Sequence, residues 1–343
     1  MRLEDLGWDG FFAGHAGAGV QGRVASAGRE RFVVWTESGE VEAGVSGRLR
    51  QSGAMPAVGD WVMLRDGAPI IEQVLQRRTV LSRKQPGRAI GEQVLAANID
   101  VLFIVSGLDR DYNERRLERY LVVAGQSGAR RVIVLNKSDL APAYGIDLAE
   151  TVERLRVRSG APVLGVSALG GDGLHGLEAL LRPGETAALI GSSGAGKSTI
   201  VNRLLGKERQ ATHAVRSDDD RGRHTTTTRS MFMMPGGWLL IDMPGLREVQ
   251  LWAAPEELDA GFEDVRELAA GCRFRDCTHN MEPGCAVRDS GIDEDRLGNY
   301  HKMQRELDYL ERKSDPRLMS ETRARWKAIH KAMRHTSKRG PET

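Results

Sequence analysis

Along the chain the pattern of apolar and polar positions changes twice. Between residues 20 and 84, short β-prone runs (VQGRV, RFVVWTE, VEAGV, DWVML and PIIEQV) alternate with turn residues such as ESGE and the Gly59-Asp60 pair. Runs punctuated in this way predict five strands of a small β-barrel. Strand counting leaves the topology open, and both an OB-like and an SH3-like barrel satisfy it. From about residue 99 the runs become solidly apolar: IDVLFIVS, RRVIVLN, PVLGVS, TAALIG and WLLID. Between them NERRLERYLVVAGQ, AETVERLRVRS and LHGLEALL carry helical spacing. That alternation predicts an α/β domain with a largely parallel sheet. Near residue 255 the segment PEELDAGFEDVRELAAG begins with proline at a first-turn position and ends in glycine, predicting a helix over 255–271. A long charged helix is expected over 293–313. The parts expected are 1–94, 95–254 and 255–343.

The segment GSSGAGKS, Gly191 to Ser198, fits the phosphate-loop spacing and has the right context, an apolar run before it and a helix-forming stretch after it. Gly191, Gly194 and Gly196 let the backbone turn tightly, so that N–H groups around Ser192, Ser193, Ala195 and Thr199 can face phosphate oxygens at a helix N-terminus. Lys197 is placed to reach the β- and γ-phosphates and Ser198 to offer a hydroxyl to Mg²⁺.

A second motif, NKSD at Asn136 to Asp139, follows the apolar run VIVL and so emerges at the C-terminal end of a strand, where open α/β sheets collect ligands. Asp139 suits the paired donors of guanine, which adenine lacks, and a site built on such bonds rejects the wrong base strongly. Asn136 would orient the loop, and the Lys137 stem could cover the ring. A further strand ends at Ser167 and Ala168, small residues that let a backbone N–H approach guanine O6.

The order of these motifs is unusual, because the base-reading loop precedes the phosphate loop by 55 residues. The middle elements follow the phosphate loop. RGRHTTTT occupies the place of a first switch, with Thr226 as the favoured second hydroxyl for Mg²⁺, and LLIDMPG ends a strand in D-x-x-G. Asp242 can hold Mg²⁺ through water, and the Gly245 N–H can meet a γ-phosphate. In this rotated order the chain resembles the circularly permuted GTPases, in particular the bacterial ribosome small-subunit-dependent GTPase A family. The resemblance implies an N-terminal OB domain, a permuted GTPase core binding GTP and GDP with Mg²⁺, a zinc domain, and action on the maturing small ribosomal subunit through rRNA and ribosomal proteins. It also implies a monomer.

All three cysteines lie close together, and Cys272, Cys277, His279 and Cys285 form a C-x4-C-x-H-x5-C arrangement. Three thiolates and one imidazole can complete a closed tetrahedral zinc site, which is normally structural; buried free thiols are the alternative. The resemblance, in which the family shows this spacing, favours zinc. His301, His330 and His335 are expected to be exposed in the charged tail. Leu246 stands where many GTPases carry a water-positioning Gln. An apolar side chain cannot orient water, so hydrolysis by the free protein is expected to be slow. His224 is the nearest replacement, and the resemblance assigns it to hydrolysis; the alternative is a histidine that packs on phosphate or RNA.

Composition narrows the classes further. A chain of 343 residues with 40% apolar content can bury more than one core. From residue 296 onward 13 Lys and Arg face 6 Asp and Glu, a charge excess that fits a solvated helix or a nucleic-acid contact equally. The N-terminus lacks the basic flank and apolar core of a signal peptide, and VLFIV is far short of the roughly 20 residues that cross a bilayer. A soluble cytoplasmic protein without a membrane role is expected. Two rivals stay open: a P-loop ATPase or kinase, opposed by NKSD, and an RNA-binding scaffold gated by guanine nucleotide without turnover.

Overall fold

The computed structural model describes residues 1–28, 30–84, 92–206, 229–243, 258 and 261–314. The five expected strands of the first part are β1 (Val20–Ala27), β2 (Phe32–Thr36), β3 (Gly39–Val45), β4 (Trp61–Leu64) and β5 (Ile70–Val74). They close in the order β1-β2-β3-β5-β4, with β4 returning to β1. The β3–β5 pair is parallel and the others are antiparallel, with the helix Gly47–Ser52 between β3 and β4. A purely consecutive meander would have no parallel pair, so the barrel is OB-like. Alternation along β2 turns Phe32 and Val34 inward, where they meet Val24, Val62, Leu64 and Ile71.

A hairpin follows that the apolar pattern does not reveal, β6 (Val80–Lys84) with β7 (Glu92–Ala97). Its second strand spans residues 94 and 95. The core sheet then takes β8 (Val101–Gly107), β9 (Arg130–Asn136), β10 (Val163–Gly165), β11 (Thr186–Gly191), β12 (Arg229–Met233) and β13 (Leu239–Asp242), ordered β10-β9-β8-β11-β13-β12. All neighbours are parallel except β12–β13. Every residue of β8 is buried, as expected for a strand covered on both faces. On one face Leu102, Ile104 and Ile133 pack with Leu121 of the helix Glu114–Gln126; on the other Phe103, Val105 and Val134 pack with Ile200 and Leu204 of the helix Lys197–Leu205. Two helices of the core begin at side-chain caps: Asn113 accepts from Arg116 N, and Asp147 from Glu150 N at the start of Leu148–Ser159.

Barrel and core are one sheet. β1 pairs with β12 through Ser26↔Ser230 and Ala27↔Arg229, giving eleven strands in continuous order. Beneath that join Arg23, only 2% exposed, donates to Asn98 O at 3.0 Å, Thr186 Oγ1 at 2.7 Å, Gly59 O at 3.3 Å and Leu6 O. Its burial pulls the guanidinium down to about 10, with Asp100 and Asp60 opposing. One side chain of the barrel thereby grips the first residue of β11, the strand that leads into the phosphate loop.

The single helix expected over 255–271 is corrected to Glu263–Ala269 among the described residues. Phe262 leaves helical backbone, at φ −136° and ψ 49°, and is fully buried with the Arg296 guanidinium 4.7 Å from its ring centre. Burying the ring under a cation outweighs helical continuation there. Residues 255–257, including the expected first-turn proline, lie outside the described residues. The long charged helix runs over Glu294–Ser314. Among the described residues no helix is long and apolar enough to cross a membrane.

Candidate nucleotide site and metal centre

The strands β8, β9, β10, β11 and β13 run parallel, so the loops after β8, β9, β10 and β11 and the end of β13 gather along one edge of the sheet. The phosphate loop leaves β11 at Gly191, whose φ is 146°; a Cβ there would stand 2.1 Å from Val105 O on β8. Gly196, at φ 90°, begins the helix Lys197–Leu205, and a Cβ on it would stand 2.1 Å from Asn136 Nδ2. Both glycines are therefore required by neighbouring atoms as well as by the turn. Lys197 Nζ donates to Gly191 O at 2.8 Å and Ser192 O at 2.7 Å, so the ammonium folds back over its own loop. Burial lowers its pKa, while the Asp242 carboxylate acts in the opposite sense. Ser193, Gly194, Ser198 and Thr199 are exposed, whereas Ala195 is buried in the core.

The base-side loops are tied to this one by Asn136. Its Nδ2 donates to Ala195 O at 2.9 Å, and its Oδ1 accepts from Ala168 N at 3.0 Å. One buried amide thus joins the phosphate loop, the NKSD loop and the Ser167-Ala168 loop, using both halves of its hydrogen-bonding capacity. Ser138 N donates to Val166 O at 3.0 Å, adding a backbone tie between the last two. Lys137 adopts left-handed backbone at φ 62° and pairs through Nζ with the Asp109 carboxylate. Its stem passes Gly107, where a Cβ would stand 3.4 Å from Lys137 Cδ. Burial raises and Lys137 lowers the Asp109 pKa, and the net direction is downward. Asp139 stays exposed at the start of the short 3-10 helix Ser138–Tyr144.

The structure therefore brings together Asn136, Lys137, Ser167, Ala168 and the loop from Gly191 to Thr199, with Asp242 close enough to bear on Lys197. His224, Thr226, Gly245 and Leu246 lie outside the described residues. Sequence reading missed Asp109 and Arg203. The first carried one signal, a carboxylate two residues beyond the end of an apolar strand. The second had none, because a lone arginine on a helix reads as a solvated face.

In the C-terminal segment the ligand atoms of Cys272, Cys277, His279 and Cys285 all lie within 4.8 Å of one another. His279 Nδ1 is 3.6 Å from Cys272 Sγ and 3.5 Å from Cys285 Sγ. With Zn–S near 2.3 Å and Zn–N near 2.0 Å, the edge of a tetrahedron is about 3.5 Å, so these spacings fit a zinc ion. His279 also holds left-handed backbone, at φ 59°, an uncommon conformation for a non-glycine residue that aims the ring at the thiols. His301 is not among the clustered ligand residues; half-buried, it places Nε2 2.9 Å from Thr278 O and braces the metal loop from outside. His330 and His335 lie outside the described residues.

Comparison with known proteins adds to this geometry. The family model described as RsgA GTPase matches residues 74–252. The Small ribosomal subunit biogenesis GTPase RsgA of Opitutus terrae is 48% identical, over 97% of this chain and 97% of that protein. The crystal structure of YjeQ from Thermotoga maritima matches with a TM-score of 0.62 and 27% identity, covering 84% of this chain and 98% of that one. YloQ, titled a circularly permuted GTPase, matches with a TM-score of 0.60 at 21% identity, covering 86% of this chain and 96% of its own, a likeness of fold. The core has the circularly permuted GTPase fold, as the rotated motif order implies.

Proposed function

The chain belongs to the RsgA GTPase family, and on that premise we propose that it converts GTP and water to GDP and phosphate as a late assembly factor of the small ribosomal subunit. The observation that carries the reading is the pair of hydrogen bonds made by the Asn136 side chain, which ties the loops that would read the base to the loop that would hold the phosphates. A site preorganised in this way is suited to one base and one phosphate chain at once.

The parts divide the work as 1–94, an OB-like barrel that binds rRNA; 95–254, the nucleotide-binding core; and 255–343, a zinc-binding segment with a basic tail that adds contacts to the subunit. In the core Lys197 neutralises the phosphates, Asp139 selects guanine, and the loop from Gly191 to Thr199 cradles the charge. Ser198, Thr226 and Asp242 would hold Mg²⁺, which when bound offsets charge on the phosphate oxygens. His224 would orient the attacking water in the absence of a glutamine at Leu246, and Gly245 would sense the γ-phosphate. One zinc ion is structural, since four protein ligands leave no open position. The factor works as a monomer in the cytoplasm, bound to the subunit while GTP is intact.

Steady-state GTP hydrolysis by the purified chain, with and without small subunits and with large subunits as the control, tests the reading. Strong stimulation by small subunits alone is expected. Absence of stimulation would overturn it and favour the second reading, a nucleotide-gated RNA-binding scaffold, to which the apolar Leu246 lends support.

A further inference from the structure

Arg203 belongs to none of the nucleotide motifs, yet it touches one of them. It lies on the helix Lys197–Leu205, six residues beyond the phosphate-loop lysine, or about 9 Å along the axis. Its Nε donates to Ala168 O at 3.1 Å, and its Nη2 donates to Leu169 O. A single guanidinium fork thus takes two successive carbonyls, which one lysine ammonium does not match in geometry.

The loop it holds has little else to fix its tip. Ser167 and Ala168 are buried, but the Leu169 side chain is 75% exposed and supplies no apolar anchor. The remaining bonds are local: Ser167 N to Asp172 O at 3.0 Å, Gly170 N to Ser167 Oγ at 3.2 Å and Gly171 N to Ser167 O at 2.7 Å. These set the shape of the turn, not its distance from the phosphate loop. Two side chains set that distance: Asn136, which accepts from Ala168 N, and Arg203, which grasps the next peptide by its carbonyl. Because a trans peptide is planar, a carbonyl held by Arg203 turns the Leu169 N–H to the opposite edge of the same plane. The orientation of that backbone donor is therefore governed from the helix that starts at the phosphates.

We propose that Arg203 is a positioning residue for guanine recognition, holding the backbone of the Ala168–Leu169 peptide so that its N–H is presented to the O6 carbonyl of the base. This rests on the reading of the site as a guanine-nucleotide site. Adenine carries an amino group in place of O6, so the oriented donor contributes to GDP binding and not to ADP binding. Arg203 touches no reacting atom, and its loss falls on affinity and base preference, leaving the chemical step alone.

The test is calorimetric titration of the full chain with GDP and with ADP, together with kcat and KM for GTP on small subunits, for wild type, Arg203→Met and Arg203→Lys. Expected for Arg203→Met is a rise in the GDP Kd and the GTP KM of roughly fivefold to thirtyfold, the scale of losing charge-assisted bonds. ADP affinity stays level, kcat at saturation stays within about twofold, and Arg203→Lys falls between. A GDP affinity unchanged in Arg203→Met, or GDP and ADP weakened in the same proportion, would overturn the proposal while leaving the GTPase reading intact. Should Arg203→Met fail to fold, Arg203→Lys carries the same comparison. A wild-type chain that does not bind GDP would sink both.

Discussion

Arg296 of the long C-terminal helix and Glu118 of the helix Glu114–Gln126 form an ion pair at 2.6 Å with side chains only 3% and 6% exposed. Arg296 also bonds Asp264, with its Nε 2.7 Å from Oδ2, and reaches Gly261 O at 3.4 Å and Arg158 O at 3.3 Å; Asn299 donates to the other Glu118 oxygen. Four segments distant in sequence meet on one guanidinium. Burial raises the Glu118 carboxyl above its ordinary range, against the pull of Arg296 and Asn299. Removing one partner strands the other charge, so Arg296→Met and Glu118→Gln are each expected to cost about 3–5 kcal/mol in urea unfolding. The double variant should cost less than the sum. Single losses below about 1 kcal/mol would contradict a buried, coupled pair.

That anchor also bears on how the nucleotide could signal. The rotated order leads from Gly245 into the segment that carries the Cys272, Cys277, His279 and Cys285 cluster, so a shift caused by a γ-phosphate could pass directly along the chain. Gly261, near where the described chain resumes, bonds Arg296 through its carbonyl, and Leu258 is buried in the same hydrophobic core. Hydrogen exchange around the Cys3His cluster is expected to differ between GDP and a non-hydrolysable GTP analogue, and to differ more once Arg296 is replaced. Identical exchange in both nucleotides would remove the coupling.

Gly196→Ala places a methyl group where Asn136 Nδ2 now stands, and does so at left-handed backbone. The amide must then release Ala195 O. Because a buried hydrogen bond lost from a binding loop costs about 1–3 kcal/mol, GDP affinity measured by titration is expected to fall roughly fivefold to a hundredfold. The circular dichroism spectrum should be retained, and near wild-type affinity would show that the close approach is dispensable.

Asp109→Asn weakens the hold on Lys137 without changing shape. The two side chains are 17% and 29% exposed, so the pair is partly screened. An increase in the GTP KM of roughly twofold to fivefold is expected, with kcat unchanged. A fall in kcat alone would place Asp109 elsewhere in the reaction.

The metal centre predicts one zinc per chain by elemental analysis. Cys285→Ser, at the most buried thiol, should remove it and lower the unfolding temperature, as should a chelator acting on wild type. Full zinc content in Cys285→Ser would break the proposed ligand set.

The phosphate loop, NKSD and the cysteine spacing were legible because each is local, a few contiguous residues whose geometry demands particular types. The strands β8 and β11 were legible because burial on both faces leaves unbroken apolar runs at their centres, Val101 to Val105 and Ala187 to Ile190. The hairpin Val80–Lys84 with Glu92–Ala97 was not, since RKQPGRAIGE breaks any apolar period between its strands. Arg296 and Arg203 were invisible for another reason: Glu118 lies 178 residues from the first and Ala168 35 from the second, and nothing local separates a buried or bonded arginine from a solvated one. The false helix over 255–271 failed at Phe262, where a tertiary contact overrode local propensity.

The seam between β1 and β12 has a consequence for the chain's behaviour in a crowded solution. An edge strand left bare offers its N–H and C=O groups to any other copy that drifts against it. Here β1 pairs with the first two residues of β12, Arg229 and Ser230, the far end of the sheet curls back on itself through β1 and β4, and its other end among the described residues is β10, only three residues long. A chain begun after residue 98 would uncover Arg229 and Ser230, leaving the β12 edge bare along its length, and is expected to self-associate, a tendency that light scattering would register. On this view the barrel closes the start of an edge that would otherwise face other copies of the chain.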